Sequence, residues 1–249
     1  MKVRLPAVYA VKRKIEKNWI RQLACAEQDT DAEVAHYGTN GAEGFKVTSS
    51  SLPIPVQILQ SAPHQLPARD EAAVLRYTAA AVTDRVLDAS AGTWLQHPLL
   101  PVDDHAPTTS NAKAAIASWR GAFRYIEEDR ATGVVGLRPP QMGALHAVHA
   151  HWSVSDEVAS VVLPTGTGKT ETMLSVLTSF GCERVIVVVP TDALRTQIAK
   201  KFLTLGLLKA PGSPILAQNA HYPVVGVFEH KVDTLDVLSA FFESCNVVV

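Results

Sequence analysis

The chain has few cysteines, and their spacing does not suggest a metal or disulfide site. Its 249 residues include three cysteines, Cys25, Cys182 and Cys245, which lie far apart. Since no Cys-x-x-Cys pair occurs, neither a zinc site nor a disulfide framework is indicated. Free thiols are typical of a reducing compartment, so we expect a cytoplasmic protein.

Long apolar runs and a strong net charge are also missing. No apolar stretch reaches membrane-spanning length, and the N-terminus lacks the apolar core of a signal peptide, so no membrane partner is expected. The net charge of −1 neither supports nor excludes a nucleic-acid partner. A hydrophobic content of 47% with 19% charged residues is typical of a globular chain that buries a core.

Positive charge is nevertheless concentrated near the N-terminus. Residues 1–20 contain a single acid, Glu16, and six basic residues: Lys2, Arg4, Lys12, Arg13, Lys14 and Lys17. We favour a solvated basic helix face as the interpretation of this excess, and contact with a polyanion is the alternative.

A glycine-rich stretch at residues 163–170, Leu-Pro-Thr-Gly-Thr-Gly-Lys-Thr, is the most informative motif. An apolar run at 158–163 precedes it and a helical pattern follows, which is the context of a phosphate-binding loop. Glycines allow successive backbone N–H groups to point at one anion, and the helix N-terminus adds its positive dipole end. The general pattern has glycine five residues before Gly168, where this chain has Leu163.

The loop predicts ATP and Mg²⁺ as ligands. Lys169 is expected to reach the β- and γ-phosphates and the Thr170 hydroxyl to bind Mg²⁺, so both are candidate catalytic residues. Glu171 complements the helix dipole rather than acting as a base. The remaining candidate cofactor-binding residues of the loop are Thr165, Gly166, Thr167 and Gly168.

The C-terminal half predicts an α/β domain. Four β-rich segments, at 158–163, 185–189, 224–228 and 247–249, alternate with helical patterns at 139–152, 169–180, 192–205 and 235–242. This alternation favours a doubly wound parallel sheet, with ligands at the carboxyl ends of its strands. We therefore expect residues 166–168 and 190–191 to share one edge of that sheet.

Residues 1–130 are predicted to form a separate, mainly α-helical region. Helices are expected at 11–28, at 70–87 and from Ser110 to about Ile126. A loop with a short strand at 45–47 is expected over 29–51, an extended segment at 56–59, and a loop at 91–109. The role of this region is unknown, and a protein partner is its candidate ligand.

Three stretches, in order, resemble the first motor domain of superfamily 2 DEAD/DEAH-box helicases. They are the loop at 163–170, the Leu-Arg-Pro-Pro-Gln sequence at 137–141, which resembles the Q motif, and residues 187–197, which resemble motif Ia. Within this family, the sequences of the loop and of the motif Ia stretch most resemble the Helicase/UvrB N-terminal group, which includes type III restriction subunits.

The resemblance implies a RecA-like, P-loop NTPase domain over residues 131–249 and a helicase or translocase activity. It implies that Gln141 pairs with the adenine edge and that Arg138 stacks on or flanks the base. Nucleic acid, DNA rather than RNA, would contact Pro190, Thr191 and Arg195.

Two departures from the family limit the expected activity. No Asp-Glu box follows the loop, and no second motor domain is present. We therefore expect an N-terminal fragment of a motor that binds ATP with little hydrolysis. A non-enzymatic, nucleotide-switched interaction module is the alternative, whereas the Q-motif stretch disfavours a kinase or AAA-type ATPase.

Three histidines, His146, His149 and His151, lie close together before Trp152. His146 and His149 share a helix face and could hold a metal ion. Since no acidic or cysteine partner has suitable spacing, we favour helix-surface histidines.

Overall fold

A computed structural model describes residues 1–39, 41–77, 81–83, 85–101 and 108–249. The chain divides into two compact units. The first contains Met1–Ala10 and Leu23–Asp104, and the second contains Val11–Gln22 and His105–Val249. The second unit is therefore assembled from two separate stretches of the sequence, and helix α1 (Thr108–Trp119) lies in it rather than in the first.

Strands predominate in the first half and helices in the second. The strands are β1 (Lys2–Leu5), β2 (Val8–Ile15), β3 (Asn18–Cys25), β4 (Gln28–Asp31), β5 (Glu33–Thr39), β6 (Ala42–Thr48), β7 (Val56–Leu59), β8 (Ala73–Arg76), β9 (Ala81–Val82), β10 (Val86–Asp88), β11 (Thr93–Gln96), β12 (Val185–Ile186), β13 (Val225–Val227) and β14 (Val247–Val248). The other helices are α2 (Pro139–Val154), α3 (Lys169–Phe180), α4 (Asp192–Thr204), α5 (Leu235–Glu243) and a 3₁₀ helix at Gly206–Lys209.

The first unit is built from β-sheets. One sheet has the order β11-β8-β7-β6-β5 and another has the order β4-β1-β10-β9. Alternate residues of both sheets face a common apolar core, which includes Val3, Leu5, Val47, Ile58, Leu75 and Leu87. Burial of these side chains accounts for the period-two spacing of apolar residues in β1, whereas Ala73, Val74 and Leu75 of β8 are all buried.

The prediction of a mainly α-helical region over residues 1–130 is wrong. The alanine-rich stretch at 70–87 forms β8, β9 and most of β10 in its described residues; β8 pairs with β7, and Ala73 is buried in the apolar core of this unit. Packing in a sheet thus overrides the helix propensity of alanine. The predicted loop at 29–51 forms β4, β5 and β6, of which only 45–47 was expected, and β11 lies in the predicted loop at 91–109. The extended segment at 56–59 is confirmed as β7.

The predicted helix at 11–28 is likewise a β-hairpin, formed by β2 and β3. The turn between them is Glu16-Lys17, and Glu16 has a left-handed φ of 53°. From residue 18 to residue 22 of β3 every second residue is buried, and two of these, Asn18 and Gln22, are polar. A strand with one buried face is recognised by apolar residues at every second position. Since two of the buried positions here are occupied by polar amides, that pattern was not visible in the sequence.

The second unit contains a five-stranded sheet of order β12-β14-β13-β3-β2. Strand β14 pairs in parallel with both β12 and β13, as the α/β prediction requires, whereas β3 joins β13 antiparallel. The main core contains Trp119, Leu145, Leu174, Leu177, Phe202 and Val247, which come from α1, α2, α3, α4 and β14. A smaller core joins Val11 and Ile20 of the hairpin to Phe241 of α5.

Most helices of this unit begin and end close to where the sequence predicts them. Helix α3 ends at Phe180, and the residue that caps it, Gly181, has a left-handed φ of 63°. Helix α4 ends at Thr204, and the residue that caps it, Leu205, has a left-handed φ of 56° although it is not a glycine. Helix α1 ends at Trp119, so Phe123 and Ile126 lie beyond it.

The predicted strand at 158–163 is wrong. These residues have no strand assignment, and Val158 and Val162 are 90% and 93% exposed. An apolar β-branched run forms a strand only when a neighbouring strand completes its hydrogen bonds, and sequence periodicity identifies the run but not the neighbour. Strand β12 is also shorter than the predicted 185–189.

None of the helices in the described ranges is long and apolar enough to cross a membrane.

Candidate nucleotide-binding site

The glycine-rich stretch forms a tight loop that leads directly into α3. Gly166 has a φ of 82°, and Gly168, which caps α3, has a φ of 89°. Such left-handed conformations cost an L-residue about 1–2 kcal/mol, so both positions favour glycine. The Thr167 hydroxyl and amide both donate to the Pro164 carbonyl, at 2.7 Å and 3.4 Å, and close the turn.

The N-terminus of α3 presents backbone donors next to this loop. Thr172 N–H donates to the Gly168 carbonyl at 3.2 Å. The amides of Lys169, Thr170 and Glu171 precede it in the first turn, where backbone N–H groups lack an acceptor within the helix. Together with the positive end of the helix dipole, they form the type of site that binds anions.

Arg138 and Gln141 hold the carbonyl side of the loop. Arg138 Nη1 donates to the Gly166 carbonyl at 2.9 Å, and Gln141 Nε2 donates to the Gly168 carbonyl at 3.2 Å. Gln141 is 2% exposed, and its Oε1 accepts from Arg138 N–H at 2.8 Å at the start of α2. The Q-motif residues therefore bind the loop, and the predicted contacts of Gln141 and Arg138 with adenine stay predictions.

The contact between Gln141 and Gly168 orients the next peptide group. A peptide unit is planar and trans, so the Lys169 N–H points away from the Gly168 carbonyl and hence from Gln141. A Cβ at position 168 would collide with the Gln141 amide. Close approach and left-handed backbone thus both require glycine here.

Lys169 and Thr170 are available for a ligand. Lys169 is exposed and Thr170 is half-buried. Within the part of the chain that the structure describes, neither the Lys169 ammonium nor the Thr170 hydroxyl takes part in a hydrogen bond or an ion pair. An unpaired ammonium beside free amides suits a triphosphate, and a free hydroxyl suits Mg²⁺, which prefers oxygen ligands.

Glu171 forms an ion pair that the sequence did not predict. Its carboxylate lies 3.1 Å from Lys201 Nζ, and the two side chains are 16% and 44% exposed. Glu171 belongs to the first turn of α3, and Lys201 belongs to the last turn of α4. No motif pairs residues on two different helices, so only the structure could identify Lys201.

The motif Ia residues form a second group, at the N-terminus of α4. The Thr191 hydroxyl accepts from Leu194 N–H at 3.3 Å and so caps the helix. Arg195 Nη2 pairs with Asp192 at 3.0 Å, and the buried Arg195 Nε–H has no partner among the residues described. Pro190 and Thr191 are exposed. This group contacts neither Lys169 nor Thr170 through a hydrogen bond in the described ranges.

The histidine group is engaged in aromatic contacts. The His149 ring stacks on Phe180 with centroids 3.7 Å apart, and its Nε2 lies 2.8 Å from Ser179 Oγ. His146 stacks on Tyr125. Burial lowers the pKa of His149, and the neighbouring His146 lowers it further. No group of three or more metal-ligating side chains occurs in the ranges that the structure describes.

A comparison with protein families gives one match to this region. Residues 135–219 match the family described as "Type III restriction enzyme, res subunit". This part of the chain is helicase-like. The matched range contains Arg138, Gln141, the glycine-rich loop, Thr191 and Arg195, and it covers about a third of the chain. No curated protein and no solved structure gives a significant match.

Proposed function

We propose that the chain binds ATP and Mg²⁺ through the loop at 164–168 and the first turn of α3. The observation that carries this proposal is the left-handed Gly168 at the start of α3, next to the unpaired ammonium of Lys169 and three free amides. The family match to residues 135–219 supports the same reading, since helicase-like domains of this kind use ATP.

In this proposal, different residues bind the phosphates, bind Mg²⁺ and support the loop. The amides of residues 166–170 and the Lys169 ammonium hold the phosphates, and the Thr170 hydroxyl holds Mg²⁺. When bound, Mg²⁺ supplies charge neutralisation between phosphate oxygens. Arg138 and Gln141 keep the loop in shape through the Gly166 and Gly168 carbonyls. The Gln141 amide uses one of its two N–H donors and one oxygen lone pair on protein partners, so adenine would need access to the remaining positions of a side chain that is 2% exposed.

We further propose that the ATP site belongs to a nucleic-acid helicase or translocase of superfamily 2. Thr191 and Arg195 would contact the backbone of nucleic acid, DNA rather than RNA, with the N-terminus of α4 beneath it. No Asp-Glu pair follows the loop in the sequence, so we expect ATP binding with little turnover by this chain.

The test is isothermal titration of ATP·Mg²⁺ into the wild-type chain and into Lys169→Ala. Loss of one charge-assisted contact of about 1.5–3 kcal/mol should weaken binding roughly 10- to 100-fold. Lys200→Ala, which removes an exposed lysine of α4, is the matched control and should bind as the wild type does. Equal affinities for Lys169→Ala and wild type would refute the assignment of the loop.

A fluorescently labelled DNA strand tests the motor part of the proposal separately. Binding of the strand, weakened by Arg195→Ala, is the expected result. ATP binding without any binding of nucleic acid would favour a nucleotide-switched interaction module instead.

A further inference from the structure

The hairpin formed by β2 and β3 carries the densest positive charge of the chain. Its part within the second unit, residues 11–22, is called the basic hairpin below. It contains five basic residues and one acid, Glu16. The basic residues are Lys12, Arg13, Lys14, Lys17 and Arg21.

One face of the basic hairpin is fixed to the rest of the second unit. Val11 and Ile20 are buried in a core with Phe241, and the buried Asn18 side chain accepts from the amides of Glu229 and His230 at 2.8 Å and 2.9 Å. Gln22 Nε2 donates to the Tyr222 carbonyl at 2.7 Å. These contacts hold the hairpin rigidly along β13, so its other face has a defined position.

That other face presents cations around one aromatic ring. Because side chains alternate along a strand, Lys14, Trp19 and Arg21 lie opposite the buried Ile20. Lys14 Nζ and Arg21 Cζ lie 4.3 Å and 4.6 Å from the centre of the Trp19 ring. Lys17 is exposed in the turn.

The positive charge of these residues is not neutralised by carboxylates. Among the residues that the structure describes, Lys14, Lys17 and Arg21 form no ion pair. Cation–π contacts orient an ammonium or guanidinium group without cancelling its charge. The face therefore offers three charges to an anionic ligand.

The topology of the sheet brings the turn of the hairpin to a particular edge. Strand β3 runs antiparallel to β13, with Trp19 opposite Val227, so the turn at Glu16-Lys17 lies beyond the carboxyl end of β13. Strands β12, β13 and β14 are parallel, so Pro190 and Thr191, which follow β12, lie at the same edge. Ligands of such sheets bind at this edge.

We propose that the basic hairpin binds the phosphate backbone of single-stranded nucleic acid, through Lys14, Lys17 and Arg21. This inference rests on the proposed function. It extends the surface that would contact nucleic acid beyond Thr191 and Arg195, along the same edge of the sheet. Trp19 is a positioning residue that holds two of the cations. A nucleic-acid strand suits this surface better than an acidic protein, because regularly spaced phosphates can meet cations at both the turn and the strand.

The test compares Lys14→Ala/Lys17→Ala with the wild-type chain in binding to fluorescein-labelled oligothymidylate of about 20 nucleotides, over a range of salt concentrations. Each lost phosphate contact lowers the slope of log affinity against log salt by about 0.7, so the double variant should lose about 1.4. The matched control is Lys46→Ala/Lys113→Ala, which removes two exposed lysines elsewhere. It should keep the wild-type slope.

The outcomes separate the hairpin from the rest of the site. If Arg195→Ala weakens binding of oligothymidylate and the hairpin variant does not, the inference about the hairpin is wrong. The proposed function would not be affected by that result. Absence of oligothymidylate binding by the wild-type chain would refute the hairpin site together with the nucleic-acid part of the proposed function. If polyglutamate binds to the hairpin and oligothymidylate does not, the surface is a docking site for an acidic protein, and the inference is wrong.

Discussion

The side-chain amide of Gln141 donates to the carbonyl of Gly168, and 27 residues of sequence separate the two. Gly168 caps the helix that begins with Lys169, so the contact connects the start of α2 to the glycine-rich loop. In this geometry Gln141 acts on the glycine-rich loop through the backbone of that loop.

Replacement of Gln141 by alanine should therefore weaken nucleotide binding irrespective of the base. The substitution leaves the Arg138 N–H without its acceptor and removes one donor from the Gly168 carbonyl. We expect this to cost the folded loop about 1–3 kcal/mol. Titration with ATP and GTP distinguishes the two roles. Equal losses for both nucleotides are expected if Gln141 positions the loop, whereas a loss confined to ATP would show that it reads adenine. Gln197→Ala, at an exposed position of α4, is the control.

Alanine at Gly168 should destabilise the protein more than alanine at other left-handed glycines. Gly212 has a φ of 76° and open space around its Cβ position, so Gly212→Ala reports the conformational cost alone, about 1–2 kcal/mol. Gly168→Ala adds a collision with the Gln141 amide. Urea denaturation of both variants measures the difference, and equal losses of stability would contradict the close contact.

The Glu171–Lys201 ion pair should contribute modestly to stability. Lys201 is nearly half exposed, so solvent screens the pair, and a coupling energy of about 0.5–1 kcal/mol is expected. A double-mutant cycle with Glu171→Gln and Lys201→Met isolates this energy from other effects of each substitution. Added salt should reduce the coupling. A coupling of zero at low salt would mean that the two side chains do not pair in solution.

Cys245 should react with thiol reagents only when the protein unfolds. Burial raises the pKa of its thiol to about 12, despite the opposing charge of Arg184, and its residue is 1% exposed. The thiolate is the reactive form, so native protein at pH 8 should label slowly at this position. The variant Cys25→Ser/Cys182→Ser leaves Cys245 as the single thiol. Fast labelling of this variant without denaturant would be inconsistent with the buried position.

Acidification should destabilise the protein through His149. Its pKa is lowered from 6.5 by burial and by His146, so the unfolded chain binds the proton more readily than the folded chain. The contribution of the neutral ring is complete above pH 6.5 and is lost as the pH falls towards the folded-state pKa. Denaturation between pH 5 and 7 should show a weaker pH dependence for His149→Gln than for wild type or for the control His221→Gln.

The sequence predicted the glycine-rich loop and the helices around it well because their signals are local. The left-handed conformations of Gly166, Gly168 and Gly181, and the cap at Thr191, each depend on residues within one turn of the chain. The start of α3 at Lys169 is likewise determined by neighbouring residues, because Gly168 caps the helix.

Contacts between distant segments were not predictable in the same way. The pairing of Trp19 with Val227 and the contact of Lys201 with Glu171 depend on how elements pack. Asn18 and Gln22 face the interior because partners 89 to 212 residues away satisfy them, and no local pattern contains this information. The exposed segment at 158–163 is the converse case, in which apolar composition suggested pairing that the structure does not contain.

The position of the basic hairpin has a consequence for how the second unit can be obtained. Asn18 and His230 are 212 residues apart, and the intervening Leu23–Asp104 belongs to the first unit. A polypeptide beginning at residue 131 would lack β3, the antiparallel neighbour of β13. The amides of Glu229 and His230 would then lose their acceptor, the Asn18 side chain. During synthesis, residues 11–22 emerge long before the strand they join, so the sheet can close only late, as expected of folding dominated by distant contacts.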